Sequence, residues 1–215
     1  MVLTLYGVEP SPQVRAVRMA CKAMEIKYVF KAVDIVSGDL KTPEMMKMNP
    51  EGNVPFIVDE DYVLCDSHAI VTYLADKFGN DRWYPKDIKQ RKNIQQLLQF
   101  NNTMLNMRLK DIMAPLVHEN VLVIPPEKMR GLQESLTLME SLIHDEGWLA
   151  GSHPTIADCC CAANVSCCVG IFPELKMPPK VASWLWRCAK ELPGYDELST
   201  FNIKEILAEV AQRMG

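Results

Sequence analysis

Nowhere in this chain do about 18 apolar residues follow one another, which is what a helix needs to cross a bilayer. The first residues, Met1-Val2-Leu3-Thr4-Leu5-Tyr6, lack a basic segment followed by a long apolar one. No secretory signal is therefore expected, and the cytoplasm is the default compartment. Positive charge is not in excess either. The formal net charge is -4 and the pI about 5.6, which argues against a nucleic-acid-binding face. None of the cysteines forms a Cys-x-x-Cys pair, so the common redox and zinc patterns are missing. No histidine or carboxylate is spaced to complete a metal site around them, and no metal is expected. Internal repeats and low-complexity tracts are absent as well.

What is present is ordinary globular material. A chain of 215 residues, 48% of them apolar and 23% charged, can bury one large core or two small ones. Five of its eight cysteines, Cys159, Cys160, Cys161, Cys167 and Cys168, fall within ten residues that read as one continuous helix. Cys160 shares a face with Cys167, and Cys161 with Cys168, which suits small buried side chains in a reducing compartment.

The first third alternates strands and helices. Val2 to Tyr6 is β-prone, and Pro12 to Met24 sets Val14, Val17, Cys21 and Met24 on one helical stripe. Tyr28 to Ile35 reads as a second strand and Pro43 to Met48 as a short helix. Phe56 to Asp59 and Tyr62 to Cys65 are close enough only for an antiparallel hairpin, with Asp59 to Asp61 as its solvated turn. Ser67 to Phe78 carries Ile70, Val71, Leu74 and Phe78 at helical spacing. The order predicts a mixed sheet flanked by helices, with its first strand pair parallel.

Composition changes after Gly79. Asn80 to Lys89 reads as a linker, and from Arg91 onward only helical periodicity remains. Pro154-Thr155-Ile156-Ala157-Asp158 fits a capping box, in which Thr155 and Asp158 each satisfy the other's backbone amide. The helix that follows is apolar on nearly every face, so it should form the buried centre of a second domain. Loss of this cap should cost roughly 1 kcal/mol.

Three local patterns carry chemistry. Ser11-Pro12-x-Val14-Arg15-Ala16-Val17 starts the first helix, Asn49-Pro50 leads to Val54-Pro55, and Asp66-Ser67-His68-Ala69-Ile70 opens the helix after the hairpin. With Tyr73-Leu74 and the capped helix of the second half, they resemble the cytosolic glutathione transferases along essentially the whole chain. The likeness is to the insect epsilon class first and the delta class next. It implies a thioredoxin-like α/β N-terminal domain over residues 1–80 and an all-α C-terminal domain over 88–215. The implied partners are glutathione as co-substrate and a second copy of the chain, with neither nucleic acid nor membrane.

The same resemblance implies the site. Val54 would hold the cysteinyl part of glutathione through its main chain, with Pro55 in the cis form. Asp66 and Ser67 would meet the γ-glutamyl end at a helix N-terminus, where anions are favoured; read alone, both are ordinary caps. Ser11 would donate its hydroxyl to the glutathione sulfur and stabilise the thiolate. By itself Ser-Pro is a plain helix start, and Tyr6 is a rival for the catalytic role. His68 would orient the ligand or pack at a subunit interface. The electrophile site would draw on Met104, Arg108, Lys110, Met113 and Val117, with Arg108 and Lys110 as a cationic edge.

The chain departs from the epsilon pattern at two places. Leu40 and Gly52 stand where histidines usually meet the glycyl carboxylate. Lys41 and Asn53 are the adjacent residues able to compensate, one by charge and one as an amide donor. The activity expected is conjugation of small hydrophobic electrophiles. A transferase-like carrier of hydrophobic ligands is the alternative.

Overall fold

A computed structural model describes residues 2–35, 37–118, 123–145 and 147–199, the side chains of 117 and 118 excepted. The chain begins with strand β1 (Thr4–Gly7), helix α1 (Pro12–Ala23) and strand β2 (Val29–Ala32). A short helix α2 (Pro43–Met48), the hairpin β3 (Phe56–Asp59) and β4 (Tyr62–Cys65), and helix α3 (Ser67–Phe78) complete the N-terminal part. The sheet order is β2-β1-β3-β4. β1 pairs parallel with β2 and antiparallel with β3, and β3 pairs antiparallel with β4. This is the thioredoxin-like arrangement expected from sequence.

β2 is shorter than its apolar run suggests. It lies at the sheet edge and pairs only with the four residues of β1, from Thr4 opposite Val29 to Gly7 opposite Ala32. β1 and α1 approach closely where they meet. A Cβ on Gly7 would lie 2.7 Å from both Val14 methyl carbons, so any larger residue would push α1 off the sheet.

The connection after Gly79 is packed against the molecule, with Trp83 and Tyr84 buried in the main core. Its backbone is also tied in, with the Trp83 carbonyl accepting from the Ile156 amide at 3.2 Å. Asp59 does not belong to a solvated turn. It is buried and accepts from the Tyr73 hydroxyl at 2.7 Å and Lys77 Nζ at 2.6 Å, which clamps the hairpin to α3.

The rest is helical: α4 (Ile88–Phe100), α5 (Met107–His118), α6 (Pro126–Leu142), α7 (Ile156–Ile171), α8 (Pro179–Glu191) and α9 (Tyr195–Ser199). A π-helical segment, Asn101–Asn106, joins α4 to α5, and such widened turns favour functional positions. α7 is buried on every side from Ile156 to Val165, as its unpatterned apolarity predicts, opens to solvent at Val169 and packs against α1. Among its cysteines, burial raises the thiol pKa in every case, so they act as inert packing atoms.

One core spans both halves, running from Leu5, Val17 and Ile57 to Leu98, Ala162 and Trp184. Its polar bolt is Arg15, which is fully buried. The guanidinium donates to the carbonyls of Ala163 at 2.9 Å and Leu198 at 3.2 Å. A buried cation persists only where such acceptors surround it, so Arg15 fixes α1 against the helical half.

Candidate active site

The strand register assembles the site. Tyr6 lies opposite Phe56, and Phe56 opposite Cys65. The C-terminal end of β1, the N-terminal end of β3 and the C-terminal end of β4 therefore share one end of the sheet. The parallel pairing of β2 sends its C-terminal end there too. Four chain segments far apart in sequence emerge at that end: Ser11, the turn containing Lys41, Val54-Pro55, and Asp66-Ser67.

Ser11 is the N-cap of α1. Its Oγ accepts from the Val14 amide at 3.4 Å and donates to Gln13 Oε1 at 3.0 Å. Capping and a catalytic role are thus compatible, since the hydroxyl sits at the positive end of a 12-residue helix. Tyr6 is otherwise occupied. Its ring stacks on Phe56 with centroids 4.4 Å apart, and its hydroxyl accepts from Lys31 Nζ at 3.2 Å.

The Val54-Pro55 peptide bond is cis. Among the described residues neither the amide nor the carbonyl of Val54 has a hydrogen-bond partner. These are unpaired groups at the entry to a strand, the arrangement that accepts an added extended peptide. The approach to them is held by Asn49, which is buried. Asn49 Nδ2 donates to the Asn53 carbonyl at 2.6 Å, and its Oδ1 accepts from Cys65 Sγ at 3.2 Å. In the sequence Asn49 stands out only as part of the Asn49-Pro50 pair that leads to Val54-Pro55; its bonds to the Asn53 carbonyl and to Cys65 are set by the fold.

Asp66 opens α3 with its backbone at φ +69°, an uncommon value for a side-chain-bearing residue. The cost is offset locally, because its Oδ1 accepts from the amides of His68 at 2.9 Å and Ala69 at 3.0 Å. Ser67 is buried.

His68 turns inward rather than toward solvent. Its Nε2 meets Asn101 Nδ2 at 2.8 Å, and Asn101 Oδ1 accepts from Asn164 Nδ2 at 3.0 Å. An Nε2 that accepts leaves the proton on Nδ1, which lies 3.8 Å from Asp66 Oδ1. Burial lowers the His68 pKa below its ordinary 6.5, and the Asp66 charge opposes that shift. A group whose folded pKa is depressed contributes stability that is present above the unfolded value and lost as pH falls through the folded one. Acidification below pH 6.5 should therefore destabilise the protein, and His68→Gln should flatten that dependence. Urea-unfolding midpoints across this window check it; equal slopes in both proteins would show that His68 does not titrate there.

The remaining predicted residues divide. Lys41 is exposed, with no ion pair among the described residues. Leu40 is buried with Tyr6, Val33 and Phe56, and Gly52 takes φ +60°, which suits glycine. Asn53 is exposed, and its side-chain amide donates to Glu51 at 2.8 Å. Met104 and Met113 are half-buried, each packed against a core cluster, and Lys110 is exposed. Arg108 is no open cationic edge. Its guanidinium is taken up by α6, at the Gly131 carbonyl and, at 2.9 Å, Ser135 Oγ. The side chain of Val117 lies outside the described residues. A cavity of about 260 Å³ bounded by Ile143, Gly147, Lys180 and Trp184 shares none of these site residues.

An α/β domain that offers an unpaired peptide edge beside two helix N-termini, buttressed by a helical half, defines a thioredoxin-like protein of the glutathione-transferase architecture. Comparison with known proteins agrees. The family described as "Glutathione S-transferase, N-terminal domain" matches residues 5–82. Glutathione S-transferase 1 of Manduca sexta is 34% identical over 207 residues, 91% of this chain and 95% of that one. Among solved structures, a delta-class glutathione transferase of Nilaparvata lugens superposes with a TM-score of 0.89 at 31% identity, over 98% of this chain and 99% of its own. An epsilon-class glutathione S-transferase of Musca domestica gives 0.88 at 32% identity, over 98% of each chain. The chain belongs to the glutathione S-transferase family, with likeness to both insect classes.

Proposed function

We propose that this protein binds glutathione at the shared end of the sheet and conjugates its thiolate to small hydrophobic electrophiles. The carrying observation is the Val54 main chain, unpaired beside the Ser11 hydroxyl's helix and the first turn of α3. In this reading the glutathione peptide adds to Val54 as a short strand. Asp66 and Ser67 hold its γ-glutamyl end. Lys41, with Asn53 as a lesser donor, takes the glycyl carboxylate in place of the usual histidines. His68 acts one step removed, by fixing the start of α3 through Asn101.

Ser11 supplies the chemistry. Glutathione is the co-substrate, and no further group is needed to reach a reactive nucleophile. A free thiol has a pKa near 8.5, and lowering it by about two units takes about 2.7 kcal/mol. One hydrogen bond to a charged group supplies about 1.5–3 kcal/mol, and a helix terminus about 0.3–1 kcal/mol. The thiolate then attacks an electrophile held against the α4–α5 side by Met104, Met113 and Lys110. Residues 1–80 and 88–215 act as the two domains, and the working form is a cytoplasmic homodimer.

Calorimetric titration with glutathione, followed by conjugation of a panel of chlorodinitrobenzene-type substrates, tests the reading. Binding at millimolar glutathione or tighter and measurable conjugation are expected, with weaker binding in Lys41→Ala. Binding of hydrophobic ligands without conjugation of any panel member would favour the carrier, the reading that the buried Leu40 and the side-chain-free Gly52 support.

A further inference from the structure

The hydroxyl on which this mechanism depends has one proton, and in the structure Ser11 Oγ lies 3.0 Å from Gln13 Oε1, an acceptor that would take it. Gln13 is itself held from the other half of the molecule. Its Nε2 donates to Asn106 Oδ1, 93 residues away in the π-helical segment, and Asn106 Nδ2 donates to Asn102 Oδ1 at 3.4 Å. A hydroxyl and three carboxamides thus form one polarised chain, with every donor facing away from Ser11. Such a chain runs equally well in the opposite sense, because each carboxamide exchanges donor and acceptor by a half-turn about its last bond. Reversed, Asn102 donates to Asn106, Asn106 to Gln13, and Gln13 Nε2 to Ser11 Oγ. No bond in the chain is lost, and the Ser11 proton is released.

We propose that Gln13 and Asn106 are positioning residues for Ser11, forming an amide relay across the domain boundary whose reversal turns the Ser11 hydroxyl toward the glutathione sulfur. The inference rests on the proposed role of Ser11 and goes beyond it in two respects. Donation from Gln13 to Ser11 Oγ polarises the hydroxyl and strengthens its bond to the thiolate, as hydrogen bonds in series do. The far end of the relay lies where α4 meets α5, so the element beside the electrophile takes part in setting the nucleophile. Gln13, Asn102 and Asn106 are all half-buried, screened enough for their bonds to count and open enough to rotate.

Ultraviolet titration of glutathione bound to the whole protein reads the ionisation of its sulfur directly. Gln13→Met keeps the bulk and removes both hydrogen-bonding groups; Asn106→Leu cuts the relay one residue further on. Each should raise the titration midpoint by about 0.5 to 1. The double variant should raise it no further than the larger single change, since one chain is broken twice. Gln13→Glu, which can only accept and so cannot reverse, should raise it at least as much at high ionic strength, where charge is screened. Thermal unfolding run alongside identifies any variant with an altered fold. A low midpoint in the wild type that stays unchanged in the variants, or shifts additively in the double one, overturns the relay and leaves the Ser11 reading in place. A wild-type midpoint equal to that of free glutathione overturns both.

Discussion

Ser11→Ala should lose most of its conjugating activity at neutral pH and regain much of it in alkali. At pH 7 a thiol of pKa 8.5 is about 3% ionised, and one lowered by about two units is roughly 75% ionised, a ratio near 25. Turnover at saturating glutathione should fall by about tenfold or more, part of the difference being returned because a more basic thiolate is intrinsically the better nucleophile. The deficit should close above about pH 9, where both thiols are ionised. Because Ser11 also caps α1 through the Val14 amide, alanine carries a stability cost of about 1 kcal/mol, whereas glycine at an N-cap costs only a few tenths. Ser11→Gly should therefore match Ser11→Ala in activity and exceed it in stability. A pH–rate profile for Ser11→Ala parallel to the wild type would reject the thiolate mechanism.

The second large effect is on folding. Asp158 is fully buried and accepts four hydrogen bonds. They come from the Thr155 amide at 2.8 Å and hydroxyl at 3.1 Å, the Leu149 amide at 3.2 Å and Trp184 Nε1 at 2.9 Å. Burial raises its carboxyl pKa, and these donors oppose that rise. Asp158→Ala strands three buried N–H donors, each costing about 1–3 kcal/mol, so a loss of about 3 kcal/mol or more is expected. Thr155→Ala should cost only about 1 kcal/mol, the usual magnitude for a cap. Urea denaturation of both variants checks the contrast. Equal losses would mean that Asp158 contributes no more than its half of the capping box.

That contrast shows how far local sequence reached. The capping box was legible because its two residues lie three apart and answer each other's backbone. The bonds from Leu149 and Trp184 were not, because nothing local says that the loop before α7 and the middle of α8 converge on one carboxylate. The hairpin and α3 were read to the residue for a similar reason: alternation, a tight turn and a helical stripe are short-range signals. The burial of Trp83 and Tyr84 was not legible because polar neighbours flank them, and only packing brings both rings into the core. The α6 partners of Arg108 are not legible either, because helical spacing alone does not say which neighbour a long cationic side chain will meet.

The candidate site divides along the same line. Ser11, Val54-Pro55 and Asp66-Ser67 stood out through their types and immediate surroundings. Asn101 and Asn106 did not, since an asparagine carries no distinguishing mark until its partner is known. The amino-acid order alone determined the mixed sheet, the buried α7 and the two helix starts, because those depend on periodicity and on bonds within a few residues. The tertiary structure alone decided which loops share an end of the sheet and which distant residue holds the Gln13 amide beside Ser11. Those are contacts between distant segments, with geometry set by strand register and side-chain packing.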